Sequence, residues 1–518
     1  MSILSIENLN FGFGDKTLFK DVSFDLLKGE HVGLVGVNGA GKSTLLNIII
    51  GNTIADSGRI LKPKSIKIGY LDQYSELQEG KSIREVLKEA FSRLYLLEKN
   101  MLEIGDKLSR NNGENQEKLL REFSRIQDIL CDSEFYRIDS IVEKVANGLG
   151  LIHLGLETPV DKLSGGQRTK VKLARLLLTD YDVLLLDEPT NYLDKEHVKW
   201  LSEFLESYPK SFIVISHDTE FLNKITNVIY HLQFTSLKRY KGNYNKFLKL
   251  SEDETKRCLQ EFKKQQEEIK SLEDYIRKNK VRSSTSKMAL SRQKKLDKIE
   301  RIEKPKNPPK PYFSFLEARN PGKLIFKCQN INIGYKYPII NNINLKLSRG
   351  EKIAITGCNG IGKSTLLKTI MGVIDPLGGK IDFGVYLYPA YFEQEVKGRD
   401  NTPIEEIWEE YPKKTQGEIR EALGKCGLKR EHILQSMKSL SGGEKAKVRL
   451  CSLMMKESNW LILDEPTNHL DVNAKEVLKE ALMKFNGTIL LVCHEKEFYE
   501  DFVTGEWNME ELSLKSNC

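Results

Sequence analysis

Gly36-Val37-Asn38-Gly39-Ala40-Gly41-Lys42-Ser43 stands between the apolar run Val32-Gly33-Leu34-Val35 and the helix-forming stretch from Thr44 to Ile50. A strand, a glycine-rich turn ending in Gly-Lys-Ser, then a helix is the context that gives a P-loop its meaning. The glycines at 36, 39 and 41, with Asn38 between them, let backbone N–H groups turn inward around phosphate oxygens at the positive end of the following helix. Lys42 would neutralise β and γ phosphates, and Ser43, with Thr44 beside it, would place a hydroxyl on Mg²⁺.

The pattern occurs twice. Gly357, Asn359, Gly360, Gly362, Lys363, Ser364 and Thr365 repeat it after Ile353-Ala354-Ile355. Leu163-Ser164-Gly165-Gly166 returns as Leu440-Ser441-Gly442-Gly443, Asp187-Glu188-Pro189-Thr190-Asn191 as Asp464-Glu465-Pro466-Thr467-Asn468, and His217 as His494. Lys42 to Lys363 is 321 positions, as is Gln73 to Gln394, whereas Ser164 to Ser441, Asp187 to Asp464 and His217 to His494 are 277 each. The first copy therefore carries 321 − 277 = 44 extra residues between Gln73 and Ser164. One chance P-loop is conceivable; two with every companion motif in register are not.

The runs Val183–Leu186 and Leu461–Leu463 read as fully buried parallel strands that deliver carboxylates at their C-terminal ends. Asp187 and Asp464 would hold the Mg²⁺ shell, and Glu188 and Glu465 would polarise an attacking water. An ordinary acidic turn would not recur at a fixed distance from the other motifs.

Two helical additions surround this repeat. In the 44-residue insertion, Leu94, Leu97, Met101, Ile104 and Leu108 step by three and four, as do Leu119, Phe123, Ile126 and Leu130, across the breaker Asn111-Asn112-Gly113. That predicts an antiparallel arm hairpin over about 88–137, with a decorative surface insertion as the plainer alternative. Between the copies, Leu259, Phe262, Ile269, Leu272 and Ile276 form a stripe. Leu296, Ile299 and Ile302 follow a polar break at Ser283–Ser286, and Pro305, Pro308, Pro309 and Pro311 end the helix. From Arg277 to Lys310 thirteen Lys/Arg face Asp297, Glu300 and Glu303, a net +10; the chain's total is +7, so the remainder sums to −3. A charge so concentrated suits a phosphate backbone, though a solvated helix face would read alike.

The chain has 518 residues, 40% hydrophobic and 30% charged, enough for several domains with large cores. No run approaches the roughly 18 apolar residues of a membrane helix, and the start, Met1-Ser2-Ile3-Leu4, reads as a strand with no signal-peptide pattern. Eight scattered cysteines show no metal-site spacing and predict free thiols in a reducing cytosol, hence a cytoplasmic protein.

Together these motifs resemble the ABC ATPase family over most of the chain. The resemblance implies an α/β fold with two P-loop nucleotide-binding domains, 1–246 and 319–518, joined by a basic helical linker, 247–318. It implies ATP and Mg²⁺ as ligands, Mg-dependent ATP hydrolysis, and a monomer whose two domains sandwich both nucleotides. Ser164, Gly165 and Gly166 would cap the γ-phosphate of the nucleotide on Lys363, and Ser441, Gly442 and Gly443 that on Lys42. Gln73 and Gln394 match the loop glutamine that senses Mg²⁺ and water, Asp194 and Asp471 the aspartate after the metal strand, and His217 and His494 the switch histidine. Phe13 and Tyr335 would stack on adenine, and Glu444, where the first copy has Gln167, is a minor departure common in tandem members.

Among membrane-free ABC classes, the iron–sulfur recycling type and the zinc-bearing excinuclease type lack their cysteine clusters here. The chromosome-organising type needs far longer coiled coils. The arm and basic linker resemble the ABC-F family, in which the linker enters the ribosomal exit (E) site beside the P-site tRNA and peptidyl-transferase centre. There it meets 23S rRNA, while the arm touches ribosomal protein near the stalk. The run Lys287–Lys298 resembles that family's second linker helix. General translation factor and antibiotic ribosome-protection protein are the two roles in view; the short tip Val281–Ser286 favours the first. A tandem ATP-binding subunit of an importer, which leaves arm and linker without a purpose, and a DNA-bound ATPase are the competing readings.

Overall fold

The computed structural model describes all residues except 1, 15, 38, 72–76, 79, 111–115, 192, 234, 280–285, 300–310, 394–399, 469, 517 and 518. In the first half a six-stranded sheet runs in the order Ile68–Tyr70, Val183–Asp187, Ser211–Ile215, His31–Val35, Val228–Gln233, Ser236–Lys241. The first five strands are parallel, and the last returns antiparallel as a hairpin. The second half repeats this with five parallel strands: Pro389–Phe392, Trp460–Asp464, Thr488–Val492, Lys352–Thr356 and Gly505–Asn508. Where the first half turns back as a hairpin, the second runs into the helix Met509–Ser516.

These central strands read as continuous Val, Leu and Ile because both faces are covered. Val183, Leu184, Leu185 and Leu186 are all fully buried, as are Leu461, Ile462 and Leu463. One face packs against helices; the other packs against a three-stranded antiparallel sheet, Lys16–Leu27, Ser2–Phe13, Ser57–Leu61 in the first half and Pro338–Ser348, Leu324–Gly334, Gly378–Phe383 in the second. In those outer strands Leu4, Ile6, Leu9 and Phe11 point inward, the alternation slipping at a bulge where Asn8 takes φ 49°. Asn330, at φ 50°, marks the same slip in the second half; asparagine tolerates that left-handed backbone better than most side chains.

The insertion is a hairpin of the helices Ser92–Arg110 and Gln116–Asp132. Its stripes meet, and Ile104, Ile126 and Leu130 join the same core cluster as the helices of the first half. The breaker 111–113 lies outside the described residues. Between the two halves a 36-residue helix, Tyr244–Asn279, is followed by a second that packs on it, Ser286–Asp297. Ile269, Leu272 and Ile276 are buried in their seam. The Arg292 guanidinium lies 3.5 Å over the Tyr275 ring, and Lys295 Nζ stands 2.7 Å from Glu268. The loop 281–285, Ile302 and the prolines at 305, 308 and 309 lie outside the described residues.

The root of the long helix is fastened to the first sheet. Glu254 accepts from Tyr240 Oη at 2.8 Å and pairs with Lys238 Nζ at 2.6 Å, while Phe247 is buried against Tyr240, Tyr244 and His231. Tyr240 and Lys238 belong to the hairpin strand, whose partner Val228–Gln233 backs onto the first P-loop.

Candidate functional site

Each P-loop closes its turn with glycines in the left-handed region: Gly39 at φ 73° and Gly41 at φ 106°, Gly360 at φ 85° and Gly362 at φ 108°. Gly36 is required for a different reason, since a Cβ there would sit 2.5 Å from the Leu232 carbonyl oxygen. Lys42, the first residue of the helix Lys42–Ile50, donates from Nζ to Gly36 O at 2.8 Å and Val37 O at 3.3 Å. Lys363 donates to Gly357 O at 2.8 Å, Cys358 O at 3.0 Å and Asn359 Oδ1 at 3.4 Å. Burial pulls the pKa of both lysines down, against the pull of the neighbouring carboxylates. Thr44 and Thr365 follow on the same helices, Thr365 buried.

Asp187 and Asp464 end their strands facing the P-loop serines. Burial raises both carboxyls, Asp464 to about 6, while the Ser43 and Ser364 hydroxyls and the P-loop lysines oppose the shift. Among the described residues neither oxygen of Asp464, 1% exposed, has a hydrogen-bond donor in good geometry. A buried carboxylate left so is matched to a cation, and a hydroxyl beside a single carboxylate suits Mg²⁺, which keeps waters and phosphates as its other ligands. Among the described residues no group of three or more His, Cys, Asp or Glu gathers as a metal nest.

Glu188 and Glu465 sit at φ 50° and 51°, a strained turn that swings each carboxylate out of the strand line. His217 Nε2 is 3.3 Å from Glu188 and its backbone N–H donates to the same side chain at 3.3 Å; His494 Nε2 is 3.2 Å from Glu465. The two acids differ all the same. Burial, then the Asp187 charge, pushes Glu188 up to about 8. At Glu465 burial is outweighed by His494, Lys363 and the Asn468 amide, 2.5 Å away, and the pKa falls below its ordinary value.

Ser164 and Ser441 are N-caps. Ser164 Oγ accepts from Gln167 N–H at 3.3 Å while Gln167 returns to Ser164 N–H at 2.9 Å; Ser441 and Glu444 close the same box at 3.3 and 2.9 Å. Gly165 and Gly166, like Gly442 and Gly443, form the first turn of each helix.

The two halves meet head to tail. Asp194 Oδ1 accepts from the Asn359 N–H of the second P-loop at 2.7 Å, and its charge reaches Lys363. In the other direction Asp471 acts on Lys42 and Lys475 on Glu188, and Glu444 Oε1 lies 3.2 Å from the position a Cβ on Gly39 would take. The aspartates differ at their own helices: Asp471 caps its helix through Ala474 N–H at 2.9 Å, whereas Asp194 makes no side-chain cap. Phe13, the last residue of its strand, and Tyr335, just past the end of Leu324–Gly334, are exposed, 60% and 64%. Asn38, Gln73 and Gln394 lie outside the described residues. Sequence reasoning passed over the contact of Glu444 with His432, whose Nδ1 is 3.1 Å away. Laying the halves over one another at the 277 offset would have placed His432 opposite Gly155.

A family model described as "ABC transporter" matches residues 19–191 and 340–468, and a second of the same description matches 230–315. The chain is 53% identical to the ABC transporter ATP-binding protein YfmM of Bacillus subtilis, over 99% of this chain and 100% of that one. It is 35% identical to ABC transporter F family member 5 of Arabidopsis thaliana, over 99% of this chain and 75% of the relative. A solved structure described as "Model of ribosome-bound archaeal Pelota and ABCE1" shares the fold, with TM-score 0.59 and 19% identity over 95% of this chain and 74% of that one. Among the described residues no helix is long and apolar enough to cross a membrane. With two matched ATP-hydrolysing domains in one chain and relatives of the F type along nearly all of it, this protein belongs to the ABC-F family of ABC ATPases.

Proposed function

We propose that the protein is a cytoplasmic translation factor that enters the ribosomal E site with its two halves closed on two ATP molecules and leaves on hydrolysis. The observation that carries this reading is the pairing of a head-to-tail ATPase seam with a basic helical pair rooted in one half. An ATPase that works alone has no use for a net +10 over 34 residues; an RNA surface does.

In this reading Gly36, Asn38, Gly39, Gly41, Lys42, Ser43 and Thr44 hold one triphosphate, with Ser441, Gly442 and Gly443 from the other half. Gly357, Asn359, Gly360, Gly362, Lys363, Ser364 and Thr365 hold the second, with Ser164, Gly165 and Gly166. Phe13 and Tyr335 stack on the bases. Ser43 with Asp187 and Gln73, and Ser364 with Asp464 and Gln394, hold Mg²⁺, which when bound offsets charge on the transferring phosphoryl group. Glu188 and Glu465 orient the attacking water, His217 and His494 fix those carboxylates and meet the γ-phosphate, and Asp194 and Asp471 report closure to the opposite P-loop. The linker would lie against 23S rRNA and the P-site tRNA beside the peptidyl-transferase centre, and the arm against ribosomal protein near the stalk. A general role in elongation is favoured over drug protection by the short linker tip.

The test is the double variant Glu188→Gln with Glu465→Gln, which keeps ATP binding and blocks hydrolysis. With ATP it should co-sediment with 70S ribosomes while the parent chain washes off. A double variant that stays in the supernatant, or sediments with membranes, overturns the reading.

A further inference from the structure

We propose that His432 is a positioning residue that neutralises Glu444, so that the second signature segment can close on the triphosphate carried by the first P-loop. The proposal rests on the composite sites of the preceding reading and adds to them a charge that one site has and the other lacks.

Glu444 divides its oxygens. Oε2 accepts from Ser441 N–H at 2.9 Å and keeps the signature helix capped. Oε1 is 3.1 Å from His432 Nδ1 and is also the atom nearest Gly39 across the seam, 3.2 Å from where a Cβ would stand. The side chains are 12% and 9% exposed, so water does little to screen them. The contact is an ion-pair approach and not an aligned hydrogen bond, and offsetting the full charge of Glu444 requires the imidazolium form of His432, protonated on both ring nitrogens. Without that partner a bare carboxylate would confront the phosphates the loop is shaped to hold, and like charges at such range oppose one another strongly.

The first half provides the contrast. Its signature carries the neutral Gln167, which closes the same capping box at 2.9 and 3.3 Å. The position matching His432 is 432 − 277 = 155, a glycine. The P-loop glycine matching Gly39 is 39 + 321 = 360, and among the described residues nothing stands within 4 Å of a Cβ on Gly360. Acid, histidine and close approach occur together on one side and are absent together on the other. A histidine needed only for packing would not track the charge of the signature.

The experiment uses the full chain with Glu188→Gln and Glu465→Gln, and measures radiolabelled ATP retained per chain after rapid removal of free nucleotide. The parent should retain two. His432→Ala should release one of them about tenfold faster, and adding Glu444→Gln, the residue the first half already uses, should restore slow release of both. A His432→Ala chain that retains two as firmly as the parent overturns the proposal. So does a defect that Glu444→Gln leaves in place, because a purely structural loss would not be repaired by removing a charge. Ser441→Ala serves as the control: if it too retains two, the composite-site reading has failed and takes the pair with it. If Ser441→Ala loses one and His432→Ala loses none, only the pair is wrong.

Discussion

The two glutamates that end the metal strands share a motif and not an environment. Glu188 is held near a pKa of about 8, chiefly by burial, whereas His494 and Asn468 keep Glu465 ionised. A carboxyl raised from 4.5 means that the folded chain keeps a proton the unfolded chain releases, so stability falls as pH climbs from about 4.5 towards 8. Glu188→Gln should therefore stabilise the nucleotide-free protein by up to roughly 4 kcal/mol at pH 7.5 and by less than about 1 kcal/mol near pH 5, read from urea midpoints at the two pH values. A gain that is equal at both, or a loss, would refute it. At this scale the motif residues Lys42, Asp187, Glu188 and their copies are legible from spacing alone. The partner of Glu444 is not, because His432 precedes it by twelve residues on a separate short helix, Arg430–Ile433, and only packing brings them together.

The arm is more than a surface ornament, since its buried stripe is continuous with the first half's core. Leu130 is fully buried there, so Leu130→Ala should cost about 2–5 kcal/mol; a thermal midpoint within experimental error of the parent would show the arm to be peripheral. The stripes were legible because a period of 3.6 shows itself wherever one helix face is dry. The linker's second helix was less so: Met288 and Leu290 are exposed, and it is held by Arg292 on Tyr275 and Lys295 on Glu268, contacts without a sequence period. For the same element, Arg292→Ala with Lys294→Ala and Lys298→Ala should weaken ribosome binding and flatten its dependence on log salt by roughly 0.7–0.9 per charge that meets a phosphate. An unchanged slope would place the helix away from RNA.

Across the whole molecule the repeat, the inserted residues and the order of elements follow from two offsets in the sequence, but the contacts across the seam do not. Asp194 reaches the second P-loop, with Lys170 Nζ 3.8 Å and His197 Nε2 3.9 Å behind it; Asp471, with Lys447 Nζ 3.3 Å behind it, caps its own helix and acts on Lys42 of the first P-loop. Position 474, matching His197, is an alanine. Asp194→Ala should slow ATP-driven closure several-fold, followed by fluorescence transfer between labels on the two halves; an unchanged rate would show that its contact with Asn359 has no part in closure. The fastening of the linker has a mechanical meaning as well. Gly36 leans on Leu232, the strand of Leu232 pairs with that of Tyr240, and Tyr240 grips Glu254 near the root of the long helix. That helix has 36 residues, a rod of roughly 54 Å at about 1.5 Å per residue. A pivot of about 5° at its foot would carry its far end some ~5 Å, close to one helical turn. A phosphate-sized adjustment at the loop thus arrives at the tip magnified, in the manner of a pointer on a dial.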